Sequence, residues 1–263
     1  MSVLKEIGEY AQKRVDSDKG IVPIEVLKSK ISADLRSCHD FKACFADLTA
    51  INIVAEYKRA SPSKGDIAPE LTATGVTDQY LESGAKALSI LTEPKYFSGN
   101  IEFISTVRKK HSQAVILMKD FFVDEYQLLQ ARLYGADVVL LIVGLLGEKR
   151  CLELYDYARE LGLSVLVEVH DQAELDVALQ LEHAVLGINN RDLRDLSISL
   201  STTEKLMQSV PKERIAISES GIESHSDIQR LLRSGVRGFL VGTSLMKTKT
   251  PGVALKQLIG GES

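Results

Sequence analysis

The feature that most constrains the fold is an alternation that starts near residue 50 and runs toward the C-terminus. Short apolar runs rich in Val, Ile and Leu are separated by longer segments of helical periodicity, which is the signal for βα units around a parallel sheet. The strand-like runs are INIVAEYK (51–58), KALSIL (86–91), AVILMK (114–119), DVVLLI (137–142), LSVLVEV (163–169), AVLGIN (184–189), RIAISES (214–220) and VRGFLVG (236–242). Between them DEYQLLQARLYGA, KRCLELYDYARELG, DQAELDVALQL and SHSDIQRLLRSG read as helices, several closing on glycine as helix C-termini often do. Eight strands with following helices is the count of a closed (β/α)8 TIM barrel, and 263 residues suits one. The alternative is an open doubly wound sheet, but its usual GxGxxG turn after the first strand is absent. With no linker or low-complexity segment, residues 1–263 are expected to form a single barrel domain.

Residues 1–49 fall outside the repeat and are expected to form an N-terminal helical extension. Helices are expected over Ser2–Val15 and Pro23–Ser32, joined by the polar turn DSDKG, with a third short helix around Phe41–Leu48. The extension either plugs the bottom of the barrel or covers its mouth, and the sequence leaves both open.

Composition excludes several classes of function. A net charge of −4 argues against a nucleic-acid or membrane-surface binder, so any anionic ligand needs a local site. No apolar stretch approaches a membrane span or signal peptide. Cys38, Cys44 and Cys151 lack CxxC spacing and read as reduced thiols of a cytoplasmic protein. No large apolar face demands a dimer, so a monomer is expected.

Catalytic groups of barrels project from the C-terminal ends of the strands. The first run ends Glu56-Tyr57-Lys58, and the strand pleat puts Glu56 and Lys58 on one face. The third run ends at Lys119, the fifth reaches Glu168, the sixth Asn189 and the seventh Glu219. Each alone would be an ordinary solvated boundary residue. Together they put charges of both signs on one rim, which is costly unless they pair or act.

Barrels often hold phosphate in the loops after strands seven and eight. Those loops begin Ser220-Gly221 and Gly242-Thr243-Ser244. Glycine admits backbone N–H groups close to an anion and the hydroxyls add donors, although turn chemistry explains each glycine equally well. The loop after the first strand, RASPSKGD (59–66), adds Ser61, Ser63, Lys64 and Gly65, with Lys64 possible as a plain surface charge. Glu168 and His170 have the spacing of a metal pair, but no third ligand stands nearby, so no metal is expected. No GxSxG or Cys–His arrangement suggests an acyl-enzyme.

The segment AEYKRASPSKGDI (55–67) closely resembles the signature of indole-3-glycerol-phosphate synthases. The resemblance continues through LSILTEPKYFSGN (88–100), LMKDFFVDEYQL (117–128), GADVVLLIV (135–143), LVEVHDQAEL (166–175), LGINNRDL (186–193), ISESGI (217–222) and FLVGTSLM (239–246). It implies catalytic roles for Glu56, Lys58, Lys119, Glu168, Asn189, Glu219 and Ser220. It implies phosphate contacts at Lys58, Ser61, Gly221, Gly242 and Thr243, and an anthranilate contact at Arg191. Tyr57 replaces the usual aliphatic residue and should point away from the bowl, and Thr243 stands where serine or glutamate is common.

The family's substrate is 1-(2-carboxyphenylamino)-1-deoxyribulose 5-phosphate. Its aromatic carbon attacks the ribulose ketone, carbon dioxide leaves, and water is then lost. The first step wants an acid at the ketone oxygen, expected to be Lys119. Dehydration wants an acid and a base, expected from Glu168 and Lys58, with Glu56 tuning Lys58. Either lysine suits the first acid, because such groups titrate together. Asn189 and Glu219 would hold and polarise the substrate, and the arylamine supplies the electrons, so no cofactor is expected. Phe121 and Leu141 are candidates for the aromatic pocket, or for the core. Rival readings are another phosphate-binding barrel, such as a phosphoribosylanthranilate isomerase or a class I aldolase, and a catalytically silent barrel. An aldolase would form a borohydride-trappable Schiff base on Lys119.

Overall fold

In the computed structural model the alternating runs become strands because each is buried on both sides, by the barrel interior and by an outer layer of helices. The structure describes residues 3–31, 36–62, 64–192 and 196–260. The strands are β1 Ile53–Tyr57, β2 Ala87–Leu91, β3 Ile116–Lys119, β4 Val138–Ile142, β5 Ser164–Val169, β6 Val185–Asn189, β7 Ala216–Glu219 and β8 Gly238–Val241. Each pairs in parallel with the next, and β8 pairs with β1, so the barrel closes without an edge. The fold expected from the repeat is therefore the fold observed.

Two helices precede the barrel, α1 Val3–Ile21 and α2 Ile24–Ile31, and α3 Ala73–Glu82 follows β1. The rest of the helical layer is α4 Glu102–Lys110, α5 Glu125–Tyr134, α6 Val143–Glu160, α7 Gln172–Leu179, α8 Ser201–Leu206, α9 His225–Leu232, α10 Thr243–Met246 and α11 Pro251–Ile259. Their starts are written in the sequence: Asp124, Asp171 and Ser224 cap α5, α7 and α9 with side-chain acceptors. Gly135 ends α5 at φ 97°, a conformation that only glycine adopts without strain. Short strands Ala60–Ser61 and Gly65–Asp66 form a hairpin in the loop after β1.

Two expectations for the extension need correction. DSDKG is not a turn: α1 runs through it to Ile21 and stops just before Pro23. Tertiary contacts hold this polar stretch helical, since Lys19 pairs with Asp124 at 2.7 Å and the Tyr126 hydroxyl donates to the Asp18 and Val22 carbonyls. The third helix shrinks to a single 3-10 turn over Lys42–Phe45. Ser2 and Ser32, the outer limits expected for the first two helices, lie outside the described residues.

The choice between plug and cover resolves into both. Val3, Leu4 and Ile7 of α1 reach the catalytic end of the barrel. Residues after Arg36 close the other end. There Phe41 and Phe45, both fully buried, pack edge to face 5.1 Å apart. A Cβ on Gly238 would stand 2.6 Å from the Phe45 ring, so the first residue of β8 must be glycine for that ring to enter.

Candidate active site

The strand pleat delivers the polar ends of the apolar runs into one cavity of about 250 Å³ at the C-terminal end of the barrel. Its wall includes Glu56 and Lys58 from β1 and the residue after it, Lys119 from β3, Glu168 from β5, Asn189 from β6 and Glu219 from β7. Lys119 Nζ lies 2.6 Å from Glu219 Oε2 and 3.3 Å from Glu168 Oε2. Asn189 donates to Glu168 Oε1 at 2.9 Å, and Lys58 Nζ pairs with Glu56 Oε1 at 2.7 Å. The cavity thus holds two contact groups, Lys58 with Glu56 and Lys119 with Glu219, Glu168 and Asn189.

Its electrostatics are uneven. Burial works against the charge of Lys119, but the carboxylates of Glu219, Glu168 and Glu56 outweigh it and hold the ammonium above its usual range. Burial also acts on Glu168, yet Lys119, His170 and Asn189 together hold it low, as a carboxylate. Glu219 is the loser of the arrangement: burial and the nearby charges of Glu168 and Glu56 push it up despite its contact with Lys119. Its Oε1 has no hydrogen-bond partner.

The phosphate candidates line the same cavity. Ser61, Lys64, Ser220, Gly221, Thr243 and Ser244 all face it. Ser61 Oγ is buried and unpartnered. Ser220 and Gly221 both have left-handed backbones, at φ 65° and 75°. That conformation is strained for serine. Asn190 holds it, donating to Ser218 Oγ and to the Glu219 and Ser220 carbonyls at 2.9–3.0 Å. Gly242 is not on the cavity wall; it stands behind Glu56, whose Oε1 would lie 2.3 Å from an added Cβ. Arg191 lines the cavity, with one guanidinium nitrogen donating to the Leu196 carbonyl. Ser63 lies outside the described residues.

The apolar wall needs one correction. Phe121 faces the cavity, but Leu141 does not; Leu140 and Ile142 flank it in β4 and face inward, so the pleat turns Leu141 to the helix layer. Tyr57 points away as expected, its hydroxyl donating to the Leu71 carbonyl. Sequence reasoning missed Phe97, whose ring lies tilted 5.9 Å from that of Phe121, because it sits in an irregular loop with no periodicity to read. It also missed Asp120, which accepts from Arg14, Thr92 and the Phe121 N–H and so ties α1 to the residue beside Lys119. Ser89, whose Oγ lies 3.4 Å from Glu56 Oε2, was hidden in an otherwise apolar strand. Among the described residues no group of three or more His, Cys, Asp or Glu side chains could hold a metal ion, and no helix is long and apolar enough to cross a membrane.

Comparison with known proteins gives the family and the fold. The family model for indole-3-glycerol phosphate synthase matches residues 4–258. An indole-3-glycerol phosphate synthase of Campylobacter jejuni is 38% identical over 258 residues, covering 98% of this chain and 100% of that protein. One from Aliarcobacter butzleri is 39% identical over 247 residues, covering 93% and 94%. Among solved structures, 3-hexulose-6-phosphate synthase from Salmonella typhimurium superimposes with a TM-score of 0.63 at 14% identity, covering 80% of this chain and 97% of that one. Tryptophan synthase subunit alpha from Legionella pneumophila gives 0.61 at 12% identity, covering 83% and 96%. These two likenesses concern the barrel alone.

Proposed function

The chain belongs to the indole-3-glycerol phosphate synthase family, and on that premise we propose how its cavity divides the work of ring closure, decarboxylation and dehydration. Lys119 is the acid of the first step. Its ammonium is buried between two carboxylates, and the substrate's ketone oxygen takes its proton as the aromatic carbon bonds to the carbonyl carbon. Loss of carbon dioxide then restores the aromatic ring. The single observation that carries this assignment is the placement of Lys119 within reach of both Glu168 and Glu219 in a closed apolar barrel.

Dehydration falls to Lys58 and Glu168. A carboxylate held low by its neighbours accepts protons rather than donating them, so Glu168 takes the proton from the carbon beside the hydroxyl. Lys58, held by Glu56, gives its proton to the hydroxyl, which leaves as water. Glu219 and Asn189 orient Lys119 and Glu168 against the substrate. The phosphate sits against Ser61, Lys64, Gly221, Thr243 and Ser244, with Gly242 letting Glu56 pass behind the loop. Anchoring that end, with Arg191 on the anthranilate carboxylate, removes much of the entropic barrier to closure. Phe97 and Phe121 give the aryl ring an apolar wall to pack against.

The protein works as a monomer in the cytoplasm. Its exposed large hydrophobics, Ile21, Val26, Leu48, Ile198 and Val253, lie on different elements, and its three cysteines are free. Sedimentation reading a dimer would remove the first statement.

The deciding experiment follows product fluorescence after mixing protein with the carboxyphenylamino-deoxyribulose phosphate. The chain has no Trp, so an indole signal rises over tyrosine alone. A rise that is lost in Lys119→Ala supports the assignment. Retained synthesis in that variant moves the first acid to Lys58.

A further inference from the structure

His170 is the buried titratable group that this mechanism leaves unused. It follows β5 two residues after Glu168, and its side chain is about one-tenth exposed (11%) but does not line the cavity. Its ring stands between two carboxylates. Nε2 lies 3.4 Å from Glu168 Oε1, too poorly aligned for a hydrogen bond but with no other polar partner. Nδ1 lies 3.0 Å from Glu174 Oε2, and the same oxygen accepts the His170 backbone N–H at 2.8 Å. A bare ring nitrogen facing a carboxylate would set lone pair against lone pair. With a carboxylate oxygen within 3.4 Å of each ring nitrogen, the surroundings favour the doubly protonated, cationic ring.

Glu174 is itself built into place. It is the third residue of α7, its N–H donates to the capping Asp171, and its Oε1 occupies space that a Cβ on Gly144 would enter at 2.4 Å. Thus α6 and α7 together hold the carboxylate that orients the imidazolium. The charges facing Glu168 are then Lys119 from β3 and His170 from its own strand end, with Glu219 of β7 and Glu56 of β1 beyond Lys119. Only Lys119 of the two cations changes charge in the reaction. When it gives its proton to the ketone oxygen, His170 is the cation that still faces Glu168; with a neutral side chain in its place the buried carboxylate would lose its counter-charge and be easier to protonate.

We propose that His170 is a positioning residue that keeps Glu168 a correctly aimed carboxylate after Lys119 has discharged, with Glu174 fixing the ring. This rests on the reading of Glu168 as the base of dehydration. The surrounding charges agree, since the two carboxylates overcome burial and push His170 up to about 10.

The test measures kcat and KM against pH for the full chain and for His170→Asn, Glu174→Gln and Glu168→Gln. Loss of a cation at this range raises a carboxylate's pKa, so the acid limb of kcat in His170→Asn moves up by about one pH unit. Below the limb kcat falls about tenfold for such a shift, while kcat at neutral pH and KM stay near wild type because Glu168 is ionised there and the ring does not touch substrate. Glu174→Gln shifts the limb in the same direction by less, and it decides the matter should His170→Asn fail to fold. A limb that stays in place in the folded variants, whether or not kcat falls, overturns the proposal. Glu168→Gln separates this from the underlying reading: undiminished kcat there removes Glu168 as the base, whereas a large loss beside an unmoved limb in His170→Asn removes only the role of His170.

Discussion

The two ends of the barrel each bury charge, and they treat it differently. At the N-terminal end Asp137 is fully buried and every lone pair is used. It accepts from Arg36 and from the backbone N–H groups of His39 and Ile116, each at 2.8 Å, and from Arg108. At the catalytic end Glu219 is equally buried, yet only Lys119 serves it and one oxygen has no partner. A saturated carboxylate is a fastener, since its bonds tie the extension, α4 and β3 to the start of β4. An unsaturated one beside two carboxylates and a single ammonium is poised to bind or move something else. The same residue types thus act as structure at one end and as chemistry at the other, and hydrogen-bond accounting tells them apart.

The largest effect should come from breaking the catalytic end at its centre. Lys119→Ala is expected to lower synthase kcat by about 10³-fold, within the range for removing a general acid, with the fold intact by circular dichroism. Breaking the other end should do the reverse: Asp137→Ala takes the carboxylate from the part-buried Arg36 and Arg108 and leaves the buried Ile116 N–H unpaired, and should cost about 3–5 kcal/mol in chemical denaturation. Whatever protein remains folded should retain its kcat. Equal loss of kcat from the two variants would abolish the contrast between the ends.

A subtler lever is Gly187 in the middle of β6. An added Cβ would stand 2.2 Å from Glu219 Oε1, so Gly187→Ala should displace that carboxylate and lower kcat by about tenfold to a hundredfold, as small misplacements do. Thermal stability should change little by comparison. A smaller effect concerns His170, whose folded pKa, pushed up to about 10, lies above its ordinary 6.5. A raised pKa means that the stabilisation from its ion pairs is full below about pH 6.5 and is lost as pH rises toward 10. The stability difference between wild type and His170→Asn should therefore narrow across that window in urea titrations. Least affected should be the thiols. Burial pushes Cys44 and Cys151 up to about 12, so iodoacetamide at pH 8 should leave both unmodified and activity intact.

Much of this molecule was legible beforehand, for reasons that differ by residue. Glu56, Lys119, Glu168, Asn189 and Glu219 stood out because a strand buried on both faces has no room for polarity except at its end. Ser220-Gly221 stood out as turn chemistry, although nothing local said that Ser220 itself would adopt the left-handed backbone that Asn190 supports. Asn190 drew no notice in the sequence, because its network to Thr203 and Ser218 joins positions far apart in the chain. Leu141 stayed open between pocket and core because all five residues of β4 are apolar and carry no alternation to show which of them face inward. The stretch DSDKG was misread because its helix is held by Asp124 and Tyr126, more than a hundred residues away.

The sequence by itself determined the barrel, its strands and the polar groups on its catalytic rim, since periodicity and the cost of burying charge act within a few residues of one another. Only the tertiary structure decided which charges meet. It set Lys119 against Glu219 and Glu168 rather than Glu56, put α1 over the mouth and Phe45 in the base, and trapped His170 between Glu168 and Glu174. Those outcomes depend on barrel closure and strand register, which bring distant residues within hydrogen-bond range, and such distances are not written in any local pattern.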